Sequence, residues 1–174
     1  NGNYPAKIPE EVDKPLPAPT SGVVLAKPVI PEFITVHQGS PNNTSASNVT
    51  VRYKDYIKNV ASCEIYSTWP ESTIRANVYA IISFTLNRIY TEWYRGKGKN
   101  YQITNSTAYD HAFNYGRNIY DNISAIVDDI FSTYIRRYGR KQPLLTQYCD
   151  GKNVQCPEWM TQWGSKYLGD QGKT

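Results

Sequence analysis

Glu64 is the side chain whose neighbours point most directly to chemistry. It follows Val60-Ala61-Ser62-Cys63 and precedes Ile65-Tyr66, with Trp69 and Pro70 close by. A carboxyl among such groups is expected to be desolvated, which disfavours its charged form and raises its pKa. A raised pKa is what a general acid needs to keep its proton near neutral pH. The competing expectation is a helix-terminal glutamate that accepts backbone hydrogen bonds. Around it stands a surplus of aromatic residues, 15 Tyr and 4 Trp in 174 residues. Trp69, Trp93, Trp159 and Trp163 have the flat apolar faces and polar handles that suit a sugar-binding groove, although most such rings belong to a core.

Other reactive constellations are absent from the sequence. Asp110 and His111 are adjacent, so simple alternation does not make them a relay, and no persuasive Ser-His-Asp set, Gly-rich phosphate loop or HExxH occurs. Gly96-Lys97-Gly98-Lys99 lacks the spacing of a phosphate loop and reads as a solvated turn. His37 and His111 lie far apart and no CxxC pair exists, so no metal is expected. Cys149 and Cys156 enclose a short loop that suits a disulfide in an oxidising compartment, leaving Cys63 over. Arg136-Arg137 and Arg140-Lys141 flank Gly139 as a basic turn.

Charge narrows the partners. The chain carries +4, with three Lys against four acids in residues 1–50 and sixteen Lys/Arg against eleven acids beyond. That mild excess, without a long basic run, gives no reason to expect nucleic acid as a partner. The longest apolar stretch, near Val78 to Phe84, is far too short for a transmembrane segment.

The elements that must position these residues follow from periodicity. Eight of the eleven prolines fall in the first 41 residues, and residues 1–28 read as an extended linker before a domain at 29–174. Phe33–His37 and Val49–Arg52 alternate as the arms of a long-looped hairpin. Tyr53, Tyr56, Ile57 and Val60 recur with helical spacing, so a short helix ends near Cys63-Glu64. Pro70 opens a long helix whose stripe, Ile74, Val78, Ile81, Ile82, Leu86, Ile89 and Trp93, runs until Gly96 and Gly98. A third helix starts at about Asn118. Beyond Asp129 the pattern fits either its continuation or a hairpin pairing Phe131–Ile135 with Pro143–Tyr148 through Tyr138-Gly139, and the hairpin is favoured. These pieces predict an α+β fold, a long central helix and shorter helices packed on small antiparallel hairpins.

The order of the pieces resembles the SpoIID/LytB family, in its clostridial, stage II sporulation protein D-like variants. Asp55-Tyr56-Ile57-Lys58-Asn59-Val60-Ala61-Ser62-Cys63-Glu64-Ile65, then Trp69-Pro70-Glu71, then Ile74-Arg75-Ala76-Asn77-Val78-Tyr79-Ala80 is similar to D-Y-V-x-G-V-V-x-x-E-M, W-P and L-K-A-Q-A-V-A-A-R-T-Y-A. The late run Met160-Thr161-Gln162-Trp163-Gly164-Ser165 is similar to M-S-Q-W-G-A. The resemblance covers about 51–172. It implies a peptidoglycan lytic transglycosylase that cleaves MurNAc–GlcNAc β-1,4 bonds with Glu64 as general acid and base. Trp69, Arg75, Asn77, Gln162 and Trp163 become candidate substrate-binding residues, with no cofactor. The implied partners are glycan strands and other wall hydrolases, and the implied location is the extracytoplasmic envelope or spore surface of a Gram-positive bacterium. Two alternatives stay open: a non-catalytic wall-binding or amidase-enhancing module, and a surface structural subunit. The family arginine falls on Ile82, and the region where some members carry a Cys/His zinc cluster falls on Thr104 to His111, which has no cysteine. A Cys149–Cys156 bridge would stand where relatives carry a Gly/His-rich stretch, and the chain stops soon after Gly172 where relatives usually continue.

Overall fold

The computed structural model describes residue 25, residues 27–146, and the short strands at 148–149 and 160–161. Its order is β1 (Phe33–His37), β2 (Asn48–Arg52), α1 (Tyr53–Glu64), α2 (Glu71–Tyr90), β3 (Ile103–Thr104), α3 (Asp121–Ile130), β4 (Tyr148–Cys149) and β5 (Met160–Thr161). This is the α+β arrangement, three helices with a small sheet, that the periodicities predict. The sheet runs β2-β1-β3. β1 and β2 pair antiparallel, Phe33 opposite Arg52 and His37 opposite Asn48. β3 lies parallel to β1, Val36 opposite Ile103, so the sheet is mixed rather than purely antiparallel. β4 and β5 form a separate parallel pair.

β1 alternates because only one face meets the core: Ile34 and Val36 are fully buried, and Phe33 is exposed. His37 closes the β1–β2 loop, its ring nitrogens 2.7 Å from Asn48 Oδ1 and 2.9 Å from the Asn43 carbonyl, and its ring stacked on Tyr101. β2 passes into α1 with no connecting loop, Arg52 still extended as the N-cap.

α2 is the centre of the fold. Its 20 residues span about 30 Å, and every residue from Ala80 to Tyr90 is buried. That stretch has no solvent face, so its polar side chains, and Asn77 on the buried face before it, must find partners inside. Asn77 donates to the Thr73 carbonyl, Thr85 to Ile81, and Asn87 to Pro143, each at 2.8 Å. Ser83 accepts the Ile135 N–H, and the Thr146 hydroxyl donates to the Ala80 carbonyl. The segment 135–146 is thereby strapped along α2.

That strapping shortens the favoured hairpin to its turn end. α3 stops at Ile130, and only a single bridge, Arg136 to Pro143, pairs the two arms. The backbone N–H of Ile135 and C=O of Pro143 are spent on Ser83 and Asn87 of α2. Two other boundaries move. α2 ends at Tyr90, before Trp93 and the glycines, because Glu92 turns the chain at φ 51°. α3 begins at Asp121 rather than Asn118, after the extended N-cap Tyr120.

Candidate functional site

Glu64 is the last residue of α1 and continues its buried stripe, Tyr53, Tyr56, Ile57, Val60, Ala61, Glu64. The helical repeat therefore turns its carboxyl inward, where it is 7% exposed. One carboxylate oxygen, Oε1, accepts the Ala112 N–H at 3.0 Å. Both sequence expectations for Glu64 thus hold together: it is desolvated, and it accepts a backbone hydrogen bond.

The segment 104–120 carries that N–H and is pinned at both ends. At one end Asp110 is gripped by α2 and β3. Arg88 Nε donates to Asp110 Oδ1 at 2.9 Å, with both side chains at 0% exposure. Asp110 Oδ2 accepts from the Tyr94 hydroxyl at 2.6 Å, the Thr104 N–H at 3.0 Å and the Thr104 hydroxyl at 2.6 Å. The Arg88 guanidinium also lies against the rings of Phe84, Trp93 and Tyr94, with centroids at 4.9, 4.9 and 5.6 Å. His111 packs on Phe84, ring centroids 4.5 Å apart. Burial pushes its pKa down to about 4, with Arg88 reinforcing and Asp110 opposing, so the imidazole is neutral at pH 7.

At the other end the segment is clamped onto α1. The Asn59 side-chain amide donates to the Asn114 carbonyl at 2.8 Å and accepts the Asn114 N–H at 3.0 Å. Ser62 Oγ accepts the Tyr120 N–H at 3.4 Å. Between these clamps, Arg117 N–H closes a turn on the Asn114 carbonyl through Gly116 at φ +83°. Positive φ at the third residue of a four-residue turn is the reason for glycine there, as in a type II turn. Arg117 Nε donates to the Asn118 carbonyl at 3.0 Å, the neighbouring Cys63 side chain pushes the guanidinium pKa further up, and the guanidinium lies 5.7 Å from the Tyr120 ring.

A groove of about 360 Å³ opens between the start of α2 and α3. Trp69, Ile74 and Ile126 line it together with Glu71, Arg75, Asn122 and Asp129. Arg75 bridges its rim, Nη1 to Asp129 at 2.7 Å and Nε to Glu71 at 3.0 Å. Trp69 also tilts against Tyr66 at 5.4 Å, and Asn122 Nδ2 donates to the Ser67 carbonyl at 2.7 Å.

The structure brings Trp69 and Arg75 into one groove, while Glu64 sits at the end of α1 and is not part of that lining. Asn77, expected on the groove, is fully buried because its part of α2 faces the interior. Ile82, where the family arginine would stand, is a fully buried member of the apolar core. Gln162, Trp163 and the Cys149–Cys156 pairing lie outside the described residues. Among the described residues no three His, Cys, Asp or Glu converge to hold a metal ion. The Arg88–Asp110 pair and the Asn59 clamp escaped the sequence reading because their members stand 22 and 55 positions apart in the chain. Tyr115, Gly116 and Arg117 offered a local signal, a ring and a cation around a turn glycine. No family model matches this chain, and no curated protein or solved structure does.

Proposed function

We propose that this domain works on peptidoglycan glycan strands as a lytic transglycosylase, with Glu64 as its acid and base. The observation that supports this is a carboxyl held 7% exposed at a helix end, its Oε1 on a backbone N–H of a segment pinned at both ends. Fixed geometry and low solvation are what proton transfer to a sugar bridge requires. In the reaction the protonated Glu64 gives its hydrogen to the glycosidic oxygen as the C1–O bond of MurNAc breaks. The carboxylate then takes the proton of the same sugar's 6-hydroxyl, whose oxygen bonds to C1. The products are a free GlcNAc 4-hydroxyl and a 1,6-anhydro-MurNAc end. Glu64 returns to its acid form, and no water is consumed. One residue serves both steps, so the paired carboxylates of ordinary glycosidases are not required.

A second reading, a wall-binding module without chemistry, is favoured by the groove. It holds Trp69 and Arg75 but not Glu64, and the Ala112 bond gives Glu64 an architectural task. One experiment separates the two. Wild type and Glu64→Gln are incubated with peptide-free glycan strands, and anhydro-ended fragments are sought by mass spectrometry. Fragments from wild type alone support the transglycosylase. Binding by both without fragments leaves the module.

A further inference from the structure

We infer that Tyr66, Tyr115 and Tyr120, with Arg117 among them, form a stacking platform for an anionic β-1,4-linked glycan beside the Glu64 helix end. This deepens the proposed function and rests on it.

Among the described residues the large exposed apolar and aromatic side chains include these three tyrosines, at 48%, 60% and 43% exposure. They belong to one neighbourhood, as the hydrogen bonds show. Tyr120 N–H is held by Ser62, Asn122 by the Ser67 carbonyl, and Asn114 by Asn59. Tyr66 lies between Glu64 and Ser67, and Arg117 reaches both Cys63 and the Tyr120 ring. The segment is therefore fastened to α1 and to the turn after it through backbone and amide groups. None of these backbone and amide fastenings uses the Tyr115 ring, and the Tyr120 ring faces the Arg117 guanidinium at 5.7 Å. Both rings stay on the outer side, with Tyr115 second in the Asn114–Arg117 turn.

Rings exposed on a fastened backbone are preorganised, so little conformational freedom is lost when a ligand lands on them. Tyrosine offers a flat apolar face with a polar edge, which matches a sugar ring's C–H face and its hydroxyls. Charge selects among glycans. Arg117 forms no ion pair among the described residues, unlike Arg75, Arg88 and Arg95. A guanidinium without a carboxylate, set against a tyrosine ring, is suited to an anion that arrives with the ligand. In a glycan strand stripped of peptide, each MurNAc presents a free lactyl carboxylate. A homopolymer of GlcNAc has none.

The test measures binding apart from turnover, using the full chain with Glu64→Gln as parent and calorimetry as readout. The probes are peptide-free MurNAc–GlcNAc strands and a GlcNAc hexamer. Tyr115→Ala and Tyr120→Ala are each expected to weaken both ligands by about 3- to 10-fold, in keeping with the strength of aromatic contacts. Tyr115→Phe keeps the face and is expected to bind as the parent does. Arg117→Gln is expected to weaken the MurNAc strands by about 10-fold and to leave the hexamer unchanged, with Arg117→Lys recovering part of the loss. Ring variants that bind like the parent, at unchanged thermal midpoints, would overturn the platform and leave the transglycosylase reading standing. Equal losses on both probes for Arg117→Gln would overturn the charge selection. A parent that binds neither probe would end both proposals. A binding-competent wild type that yields no anhydro ends would end the catalytic reading alone.

Discussion

Two regions of this molecule use the same three groups, a carboxylate, a guanidinium and phenols, and put them to opposite ends. At the C-terminal end of α2, Arg88, Asp110 and Tyr94 are sealed among aromatic rings, and Asp110 takes four hydrogen bonds. At the C-terminal end of α1, Glu64 is buried on the Ala112 N–H, while Tyr66 just after the helix and Tyr115 and Tyr120 on the segment clamped to it keep their rings substantially exposed. One segment, 104–120, runs from the first region to the second and places Ala112 on Glu64 only two residues after Asp110. The closed region is an anchor, and the open region is where a ligand can arrive. Residue type did not distinguish them and both carboxylates are buried; the exposure of the rings does distinguish them.

The largest effect expected on that contrast comes from Arg88→Met. It leaves Asp110 as a buried charge without its cation, and removing one partner of such a pair costs about 3–5 kcal/mol. Denaturant midpoints at constant slope would measure it. A loss under about 1 kcal/mol would break the comparison, because the closed region would then not be holding the segment.

Next comes pH. His111 has its folded pKa lowered from 6.5 to about 4, first by burial. On acidification from neutral pH the unfolded imidazole binds a proton near 6.5, while the folded one stays neutral until about 4. The unfolded state therefore holds more protons across that window, and stability falls as pH falls through it. The loss approaches about 3 kcal/mol from this residue and stops growing below the folded value. Urea unfolding at several pH values should show the slope in wild type and lose it in His111→Gln.

These two residues also mark what could be read from sequence. β1, β2 and α1 were legible because their burial follows local periods of two and of three to four. Glu64 was legible as a buried carboxyl because apolar neighbours in sequence remain neighbours at a helix end. The Arg88–Asp110 pair was not, since 22 positions separate its members and no spacing rule joins a helix end to a loop. Asn77 misled because it lies on the inner face of the first half of α2, while Glu71, Arg75 and Ala76 hold the outer face there. The end of α2 was missed because Glu92, not a glycine, takes the positive φ. The hairpin at 131–148 is reduced to the Arg136–Pro143 bridge and the Leu144 N–H bond to the Ile135 carbonyl, because Ser83 of α2 takes the Ile135 N–H.

A smaller effect sharpens the contrast within the closed region. Tyr94→Phe deletes a hydroxyl that donates to Asp110 at 2.6 Å, and a hydrogen bond to a charged group is worth about 1.5–3 kcal/mol. Glu64→Gln should cost less, about 1 kcal/mol, since the amide keeps its shape and can still accept the Ala112 N–H. Its effect on anhydro-end formation should be far larger, at least about 100-fold, as expected when a general acid is lost. Stability and activity thus separate at Glu64 and not at Tyr94. A Glu64→Gln variant that loses as much stability as Tyr94→Phe while retaining product formation would invert the assignment of the two regions.

The smallest expected effect completes the pair. Tyr115→Phe removes the same hydroxyl as Tyr94→Phe, but from a ring that is 60% exposed. Water already hydrates that hydroxyl in the folded and unfolded states, so stability should change by less than about 0.5 kcal/mol. Tyr115→Ala should also stay near that limit, because Asn59 clamps the backbone at Asn114 rather than at the ring. Thermal midpoints of Tyr94→Phe, Tyr115→Phe and Tyr115→Ala, taken side by side, decide it. If Tyr115→Ala falls as far as Tyr94→Phe, the ring is holding the turn together and the open region is a second anchor. If it does not, the fold has kept a large aromatic face in water without using it for stability, and that face is left for a ligand.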